Sequence, residues 1–263
     1  MSYSNNDSKK SYLIRFFERC LWLGGRILLL IPAEQKITIL TGVNKGRRWI
    51  RGAANAPEWL GIYEASKQKA LVKLIKPGML TFDIGANAGF YTLAMSRLSG
   101  AKGRVFAFEP FPANCAKIKK HLIINQATNV TLITDAVADE VGKIFFQAGS
   151  DDFTGRIATN GEIEVSVITL DGIVENQNTG DPDLIKIDVE GAESRVLLGA
   201  RGILQRGKPV IMLALHGDEQ RKICYNLLVE FGYNITTLNG TNISGEDSMP
   251  DEVIAQRIVS YNE

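Results

Sequence analysis

The chain has 263 residues, of which 45% are hydrophobic and 22% charged, and its formal net charge is +1. This composition predicts a packed globular core and excludes a disordered chain, while the balanced charge gives no indication of a nucleic-acid partner. Three cysteines, Cys20, Cys115 and Cys224, are too widely spaced for a disulfide framework or a paired metal site. We therefore expect reduced thiols and a cytoplasmic protein.

The first segment, residues 1–36, is predicted to be a polar tail followed by an amphipathic helix, and residues 37–263 the folded domain. The apolar stretch 11–31 is interrupted by four charged residues, Arg15, Glu18, Arg19 and Arg26. It is too charged to span a bilayer and has no secretory cleavage signal. Two interpretations stay open: the helix packs on its own domain or a partner subunit in a homo-oligomer, or it lies on an anionic membrane face. The second interpretation predicts liposome binding that is lost when residues 1–33 are removed.

The rest of the sequence alternates strand and helix patterns. A hairpin is predicted from 37–41 and 48–51, then a helix over 63–76 that ends at Pro77. Strands are predicted at 80–84, 104–108, 130–134, 183–188 and 210–215, and helices over 89–99, 112–126, 191–206 and 218–231. An inserted hairpin is expected from 141–147 and 163–169, and two more strands within 232–261. The alternation predicts an α/β fold with a doubly wound, mostly parallel seven-stranded sheet covered by helices on both faces.

The stretch TFDIGANAGF places a glycine turn directly after a predicted strand. Gly85 and Gly89 allow the backbone to turn tightly and approach a ligand. The spacing Gly85-x-Asn87-x-Gly89 differs from the G-x-G-x-x-G of dinucleotide sites. Asp83 before the turn would repel a pyrophosphate and attract an ammonium group, while Glu109, at the end of the next strand, can bind a ribose. An adenosine joined to an amino acid, as in S-adenosylmethionine, meets both demands.

Three stretches, FDIGANAGFYTL, FAFEP and LIKIDVEGAE, together resemble the FkbM-type family of S-adenosylmethionine-dependent methyltransferases. The stretches WLGIYE (59–64) and ITLDGIV (168–174) are also similar to this family, so the resemblance covers residues 40–220. It implies a Rossmann-like class I methyltransferase fold with S-adenosylmethionine as the cofactor. It also implies O-methylation of a hydroxyl group on a sugar, a glycan or a polyketide-like small molecule.

The resemblance also implies a set of cofactor-binding residues. The methionine portion is assigned to Asp83, Gly85, Asn87 and Gly89, the ribose to Glu109 and the adenine amino group to Asp135. Tyr91 either contacts the ligand or packs beneath it. The structural alternatives are a helix N-cap for Asp83 and a turn residue for Asp135.

Three further residues, Asp188, Glu190 and His216, are the predicted catalytic residues. Asp188 ends the fourth strand and should face the transferred methyl group, so either Asp188 or His216 is expected to be the base, with Glu190 orienting it. The alternative for His216 is a hydrogen bond at a strand end. The family often has a glutamate two residues before this histidine, where this chain has Ala214. No metal ligand is predicted, since oxygen ligands alone do not distinguish a divalent cation at Asp188 from an acid–base site.

Two surface features complete the predictions. The inserted segment 140–180 is expected to form the wall that selects the acceptor, because loops carry specificity. His121, which follows three lysines on a predicted helix, is expected on a solvated basic face.

Three rival functions stay open. A nicotinamide oxidoreductase is disfavoured by the glycine spacing. A non-catalytic S-adenosylmethionine-binding sensor or scaffold is favoured by Ala214. The third rival is a membrane-associated interaction module that has the methyltransferase fold but no catalytic activity.

Overall fold

The computed structural model describes residues 32, 34–54, 56–148, 155–157 and 163–257. The predicted tail and amphipathic helix, including residues 11–31, lie outside this part of the chain. The division at residue 36 therefore stays a prediction. Within the part that is described, no helix is both long enough and apolar enough to cross a membrane.

Thirteen strands and eight α-helices are assigned within the described residues. The strands are β1 (Lys36–Thr38), β2 (Arg48–Ile50), β3 (Leu80–Ile84), β4 (Arg104–Phe108), β5 (Val130–Ile133), β6 (Ala136–Val137), β7 (Gly142–Ala148), β8 (Gly155–Ile157), β9 (Ile163–Ile168), β10 (Leu184–Ile187), β11 (Val210–Ala214), β12 (Asn234–Thr237) and β13 (Glu252–Gln256). The helices are α1 (Ala56–Leu60), α2 (Ala65–Leu74), α3 (Phe90–Ser99), α4 (Pro112–Asn125), α5 (Leu170–Asn176), α6 (Glu193–Leu198), α7 (Arg201–Arg206) and α8 (Asp218–Glu230).

The central sheet has seven strands in the order β12-β13-β11-β10-β3-β4-β5. The five adjacent strands β5, β4, β3, β10 and β11 pair in parallel. Strand β13 is antiparallel to both of its neighbours, β11 and β12. This confirms the predicted doubly wound, mostly parallel seven-stranded sheet. The predicted early hairpin is also present as the antiparallel pair β1 and β2.

The core lies on both faces of this sheet because side chains alternate along each strand. On β10, Ile185 and Ile187 pack in the core shared with α6 and α7, and Leu184 packs in the opposite core with α3. Lys186 shares the face of Leu184 and pairs in register with Asp83 on β3. A buried lysine thus lies beside a buried aspartate in the middle of the sheet, with both side chains on one face.

A second sheet has the order β6-β9-β7-β8. The antiparallel pairing of β7 with β9 is the inserted hairpin that the sequence predicts, and β6 joins it in parallel through β9. Two stretches of the predicted acceptor wall, 149–154 and 158–162, lie outside the described residues.

The predicted single helix over 191–206 is wrong, since this segment forms the two helices α6 and α7. The break lies at Gly199, whose carbonyl accepts a hydrogen bond of 3.0 Å from the backbone N–H of Asp171. A Cβ at Gly199 would lie 2.0 Å from the carbonyl oxygen of Ala138. Contacts with distant segments therefore override the local helix pattern at this glycine.

Candidate active site

The parallel strands of the central sheet end at one edge, and a cavity of about 680 Å³ opens there. Residues 84–88, 108–111, 135–138 and 188–192, which follow β3, β4, β5 and β10, form most of its lining. Of the predicted site residues, Gly85, Asn87, Tyr91, Glu109, Asp135, Asp188 and Glu190 line the cavity, and Asp83, Gly89 and His216 lie behind or beside the lining. Open α/β sheets bind ligands at this position.

The glycine turn is held tightly between β4 and β10. Gly85 has a φ of +75°, and a Cβ there would lie 1.9 Å from the carbonyl oxygen of Asp188, so only glycine fits. The N–H groups of Gly85 and Ala86 both donate to the Phe108 carbonyl at 3.0 Å. These two N–H groups therefore anchor the turn, and the free donors expected for a ligand come from the first turn of α3, which follows Gly89.

Glu109 is the best-positioned acceptor in the cavity. One carboxylate oxygen accepts from the N–H of Asn87 at 2.7 Å, and the other accepts from the N–H of Phe111 at 3.0 Å. Burial raises the pKa of Glu109, and these two bonds with the Asn114 amide oppose the rise without cancelling it. A carboxylate has about four acceptor positions, and Asn87, Phe111 and the Asn114 amide use three of them, so Glu109 retains acceptor capacity for one hydroxyl group.

Asp135 lines the same end of the cavity as Glu109, after the adjacent strand β5. Asn114 and Phe111 line this end as well, and neither was singled out from the sequence. Phe111 follows β4, Asn114 lies at the start of α4 and Asp135 follows β5. These three residues form a continuous wall at this end of the cavity.

Asp83 does not face the cavity, and the electrostatic argument made from the sequence needs correcting here. Its side chain is fully buried, accepts a hydrogen bond of 2.6 Å from the Thr92 hydroxyl and pairs with Lys186 Nζ at 3.2 Å. Lys186 also donates to the Gly85 carbonyl at 2.9 Å. Because Lys186 neutralises this charge, a direct attraction between Asp83 and a ligand ammonium is not available in this geometry.

Lys67 is the centre of a second buried ion cluster that the sequence did not reveal. Its ammonium lies 2.8 Å from Glu252, 2.9 Å from Glu64 and 3.4 Å from Asp188. Burial would lower the pKa of Lys67, but the three carboxylates outweigh it and the pKa is raised. Lys67 therefore stays protonated and links α2, β13 and the loop after β10.

Tyr91 joins this cluster from α3. Its hydroxyl donates to Glu64 at 2.7 Å, and the ammonium groups of Lys67 and Lys186 lie 5.6 and 5.4 Å from its ring centroid. Burial and the charge of Glu64 raise its pKa, so the hydroxyl stays protonated. Tyr91 therefore packs within the ion cluster and also lines the cavity, and its contact with a ligand stays a prediction.

His216 follows β11 and lies beside the loop after β10. Its Nδ1 contacts the buried Glu193 carboxylate at 2.7 Å, while its Nε2 lies 3.5 Å from Glu190 and 3.9 Å from Asp188. Burial would lower the pKa of His216, but the hydrogen bond to Glu193 and the nearby carboxylates outweigh it and the pKa is raised. This geometry orients the ring so that Nδ1–H donates to Glu193 and Nε2 faces the two acids.

Asp188 is held in the ionised state. Burial would raise its pKa, but the charges of Lys186, Lys67 and His216 outweigh it and the pKa is lowered. On the neighbouring strand β11, Ala214 occupies the position where the family often has a glutamate. Its register partner on the neighbouring strand β13 is Glu252. The carboxylate of Glu252 therefore lies beside the Ala214 position, where it pairs with Lys67.

The set Asp188, Glu190 and His216 could also hold a metal ion. One ligand atom from each residue lies within 4.8 Å of the others. Two carboxylates and an imidazole suit a divalent cation, but Lys67 and Lys186 already contact the Asp188 carboxylate. Both lysines lie against Oδ2 of Asp188, whereas Oδ1 lies towards His216, so the acid–base arrangement and the cation site both stay open.

The expected solvated position of His121 is wrong. The ring is fully buried, stacks on Trp49 with a centroid distance of 3.9 Å, accepts from the Ile50 N–H at 3.0 Å and contacts the Ala88 carbonyl at 2.8 Å. Burial lowers its pKa to about 4. His121 is therefore a structural residue that joins α4 to β2 and to the glycine turn.

Sequence signals existed for only some of the missed residues. Lys186 interrupts the apolar strand LIKI, and a charge within a buried strand indicates a buried partner. Lys67 is one of three lysines in ASKQKALVKL, and nothing local separates it from the other two. Glu193 looks like an ordinary helix-start acid, because its contact with His216 is long-range.

The sheet order, with a final antiparallel strand inserted beside β11, and the site at the strand ends define a Rossmann-like class I methyltransferase domain. Residues 83–245 match the family described as the methyltransferase FkbM domain. The chain belongs to this family, and its cofactor is S-adenosylmethionine. Glu109, Asp135 and the glycine turn are a chemically fitting set for that cofactor.

The similarity between this chain and its curated relatives covers only part of each relative's length. The hexuronic acid methyltransferase AglP of Haloferax volcanii is 30% identical over 162 residues, which are 60% of this chain and 65% of that protein. The 31-O-demethyl-FK506 methyltransferase FkbM of Streptomyces tacrolimicus is 27% identical over 159 residues, 48% of this chain and 60% of that protein. The chain thus spans less than two thirds of each of these relatives.

One solved structure, the methyltransferase FkbM of Methylobacillus flagellatus KT, is 17% identical with a TM-score of 0.49. The similarity covers 77% of this chain and 55% of that chain.

Proposed function

We propose that this chain catalyses S-adenosylmethionine-dependent O-methylation of a hydroxyl group on a sugar, glycan or polyketide-like small molecule. The observation that carries the proposal is His216, whose Nδ1 is held at 2.7 Å by the buried Glu193 while Nε2 faces Asp188 and Glu190 at the cavity. When bound, S-adenosylmethionine supplies a methyl group on a sulfonium, which is a good leaving group. The protein then has to align the acceptor hydroxyl and remove its proton.

His216 is the base in this proposal. A hydroxyl that attacks carbon loses its proton, and an imidazole with one nitrogen hydrogen-bonded to a carboxylate accepts a proton on the other nitrogen. Asp188 is a weaker candidate, because Lys67 and Lys186 keep it ionised and lower its pKa. We assign Asp188 to orienting the acceptor hydroxyl and Glu190, which is largely exposed, to steadying the protonated imidazole.

In this proposal, the residues that line the cavity determine where each part of the cofactor binds. Glu109 would accept a hydrogen bond from a ribose hydroxyl, Asp135 would accept from the adenine amino group, and the turn at Gly85 and Asn87 would lie along the methionine chain. The acceptor would enter beside Asp188, with Ile144 of β7 as part of the wall. The relatives named above carry hexuronic acid and FK506 in their names, which supports a hydroxylated carbohydrate or polyketide as the acceptor class.

Turnover of His216→Asn with a panel of hexuronides, other glycosides and a macrolide with a free hydroxyl tests the proposal. We expect kcat to fall by about 10² to 10⁴-fold, because a general base contributes that much. S-Adenosylhomocysteine affinity should stay unchanged, since the proposal places His216 at the acceptor hydroxyl beside Asp188 and not against the cofactor. Glu219→Gln, an exposed acid on α8, is the matched control and should behave as the unmodified protein.

Three results would oppose the proposal. An unchanged kcat in His216→Asn would remove the histidine as the base. Calorimetry in which NADH saturates the cavity and S-adenosylhomocysteine does not would favour an oxidoreductase. Activity should persist in excess EDTA, and a loss restored by Mg²⁺ would instead assign Asp188, Glu190 and His216 to a cation.

A further inference from the structure

Two sets of lining residues, here called the two ends of the cavity, have different chemistry. Glu109 and Asp135 mark one end, after β4 and β5. The other end is bounded by residues of the amino-terminal segment, Trp49, Glu58 and Tyr63, which lie outside the family match that begins at residue 83. A ligand whose ribose lies at Glu109 and whose methyl group lies near Asp188 has to place its amino-acid end elsewhere in the cavity.

Aromatic contacts connect this second end to the glycine turn. The Tyr63 ring lies 5.8 Å from the Phe90 ring, and the Trp49 ring lies 6.2 Å from it, measured between centroids. Phe90 is the first residue of α3 and directly follows Gly89. The second end is therefore adjacent to the turn along which the methionine chain would lie.

Two buried polar atoms at this end have no hydrogen-bond partner among the described residues. Glu58 is 6% exposed and its Oε2 is unpartnered, and Trp49 is fully buried with an unpartnered Nε1–H. An unpaired buried polar group loses its hydrogen bonds to water without replacing them, so native proteins seldom leave one without a reason. Here an acceptor and a donor are both unpaired and line one cavity.

The other nearby carboxylates are already engaged. Asp83 is paired with Lys186, and Glu64 accepts from Tyr91 and pairs with Lys67. Burial raises the pKa of Glu58 to about 7, its own backbone N–H opposes this rise, and the charge of Glu64 adds to it. A cation brought to the carboxylate would stabilise its ionised form.

We propose that Glu58 and Trp49 bind the amino-acid end of the cofactor, with Glu58 Oε2 accepting from the α-ammonium and Trp49 Nε1–H donating to the α-carboxylate. An unpaired acceptor and an unpaired donor in the lining of one cavity match a zwitterion, which carries one group of each kind. The inference rests on S-adenosylmethionine being the cofactor, as the proposed function states. It transfers to Glu58 the recognition of the ammonium that the sequence had assigned to Asp83.

Calorimetry with three ligands and the full chain tests this assignment. The ligands are S-adenosylhomocysteine, its analogue without the α-amino group, and 5′-methylthioadenosine, which lacks the whole amino-acid end. In Glu58→Gln we expect S-adenosylhomocysteine to bind about 10 to 100-fold more weakly, and the other two ligands to bind as in the unmodified protein. Trp49→Phe should weaken the first two ligands and leave 5′-methylthioadenosine unchanged. Glu219→Gln is the control, and thermal melts check that each variant is folded.

Each other outcome overturns the assignment in a distinguishable way. Equal weakening of all three ligands by Glu58→Gln would show a structural effect on the cavity. Unchanged S-adenosylhomocysteine affinity, with a raised KM for the acceptor, would place Glu58 on the acceptor side. If the unmodified protein bound none of the three, the cofactor and the proposed function would fail together with this inference.

Discussion

At the residue scale, Lys186 fixes the position and the charge of the glycine turn through its contacts with Asp83 and Gly85. Its ammonium lies between the Asp83 carboxylate and the Gly85 carbonyl, and its side chain is 4% exposed. A sequence shows the acid before the turn, but it does not show that the neighbouring strand places a lysine beside it. The turn is therefore held by an internal ion pair, and the Asp83 carboxylate is already neutralised by Lys186.

This ion pair gives a stability prediction. Lys186→Met leaves the Asp83 carboxylate buried with only the Thr92 hydroxyl as a described partner, so we expect a loss of about 3–5 kcal/mol in the free energy of unfolding. The double variant Asp83→Asn with Lys186→Met should recover part of that loss, because no charge is then left unpaired. Urea unfolding measures both. A Lys186→Met variant as stable as the unmodified protein would contradict the pairing.

His121 predicts an acid-dependent loss of stability. Its pKa is lowered to about 4 in the folded protein, against an ordinary value of 6.5, so the unfolded chain binds more protons between these two values. The contribution is complete above pH 6.5 and is lost as the pH falls towards 4, by roughly 3 kcal/mol at 1.36 kcal/mol per pKa unit.

Urea titrations at a series of pH values measure this loss. His121→Gln can keep both hydrogen bonds without titrating, so its stability should fall less steeply between pH 6.5 and 4. The carboxylates are common to both proteins and cancel in the comparison. Parallel curves for the two proteins would show that His121 is not the responsible group.

At the element scale, Asp171 organises the helices on one face of the sheet. It lies in the first turn of α5, which is capped by the Thr169 hydroxyl accepting from the Gly172 N–H at 3.1 Å. Its carboxylate accepts hydrogen bonds of 2.7 and 2.9 Å from the N–H groups of Gly202 and Ile203, at the start of α7. The ITLDGIV stretch is thus a structural connection between two helices and does not line the cavity.

Removal of this cap is expected to cost stability without removing catalysis. Asp171→Ala leaves two partly buried N–H groups at the start of α7 without their acceptor, and we expect a loss of about 1–2 kcal/mol. Asp247→Ala, an exposed acid, is the control and should change stability by less than about 0.5 kcal/mol. Chemical unfolding compares the two. KM for the cofactor should stay the same in both variants, and a selective rise in Asp171→Ala would place this residue in the binding machinery.

At the scale of the whole molecule, the sequence predicted what depends on local pattern. The parallel strands of the central sheet and the helices α3, α4 and α8 follow from apolar runs and glycine positions, and the edge that carries the site follows from where those strands end. The short elements α5, β6 and β8 were not predicted. The lysine and glutamate partners could not be predicted in this way. Lys67 meets Glu252, and Glu193 meets His216, through contacts between segments far apart in the chain. The helix broken at Gly199 was missed for the same reason.

The pairing of Lys67 with Glu252 also has a consequence for how the protein is made. Lys67 is synthesised long before Glu252, so the ammonium has Glu64 and Asp188 but lacks its third carboxylate until β13 has emerged from the ribosome. A nascent chain that has completed β11 holds every residue of the cavity lining without this last anchor. Translation therefore has to pass residue 252 before the ion cluster around Lys67 is complete.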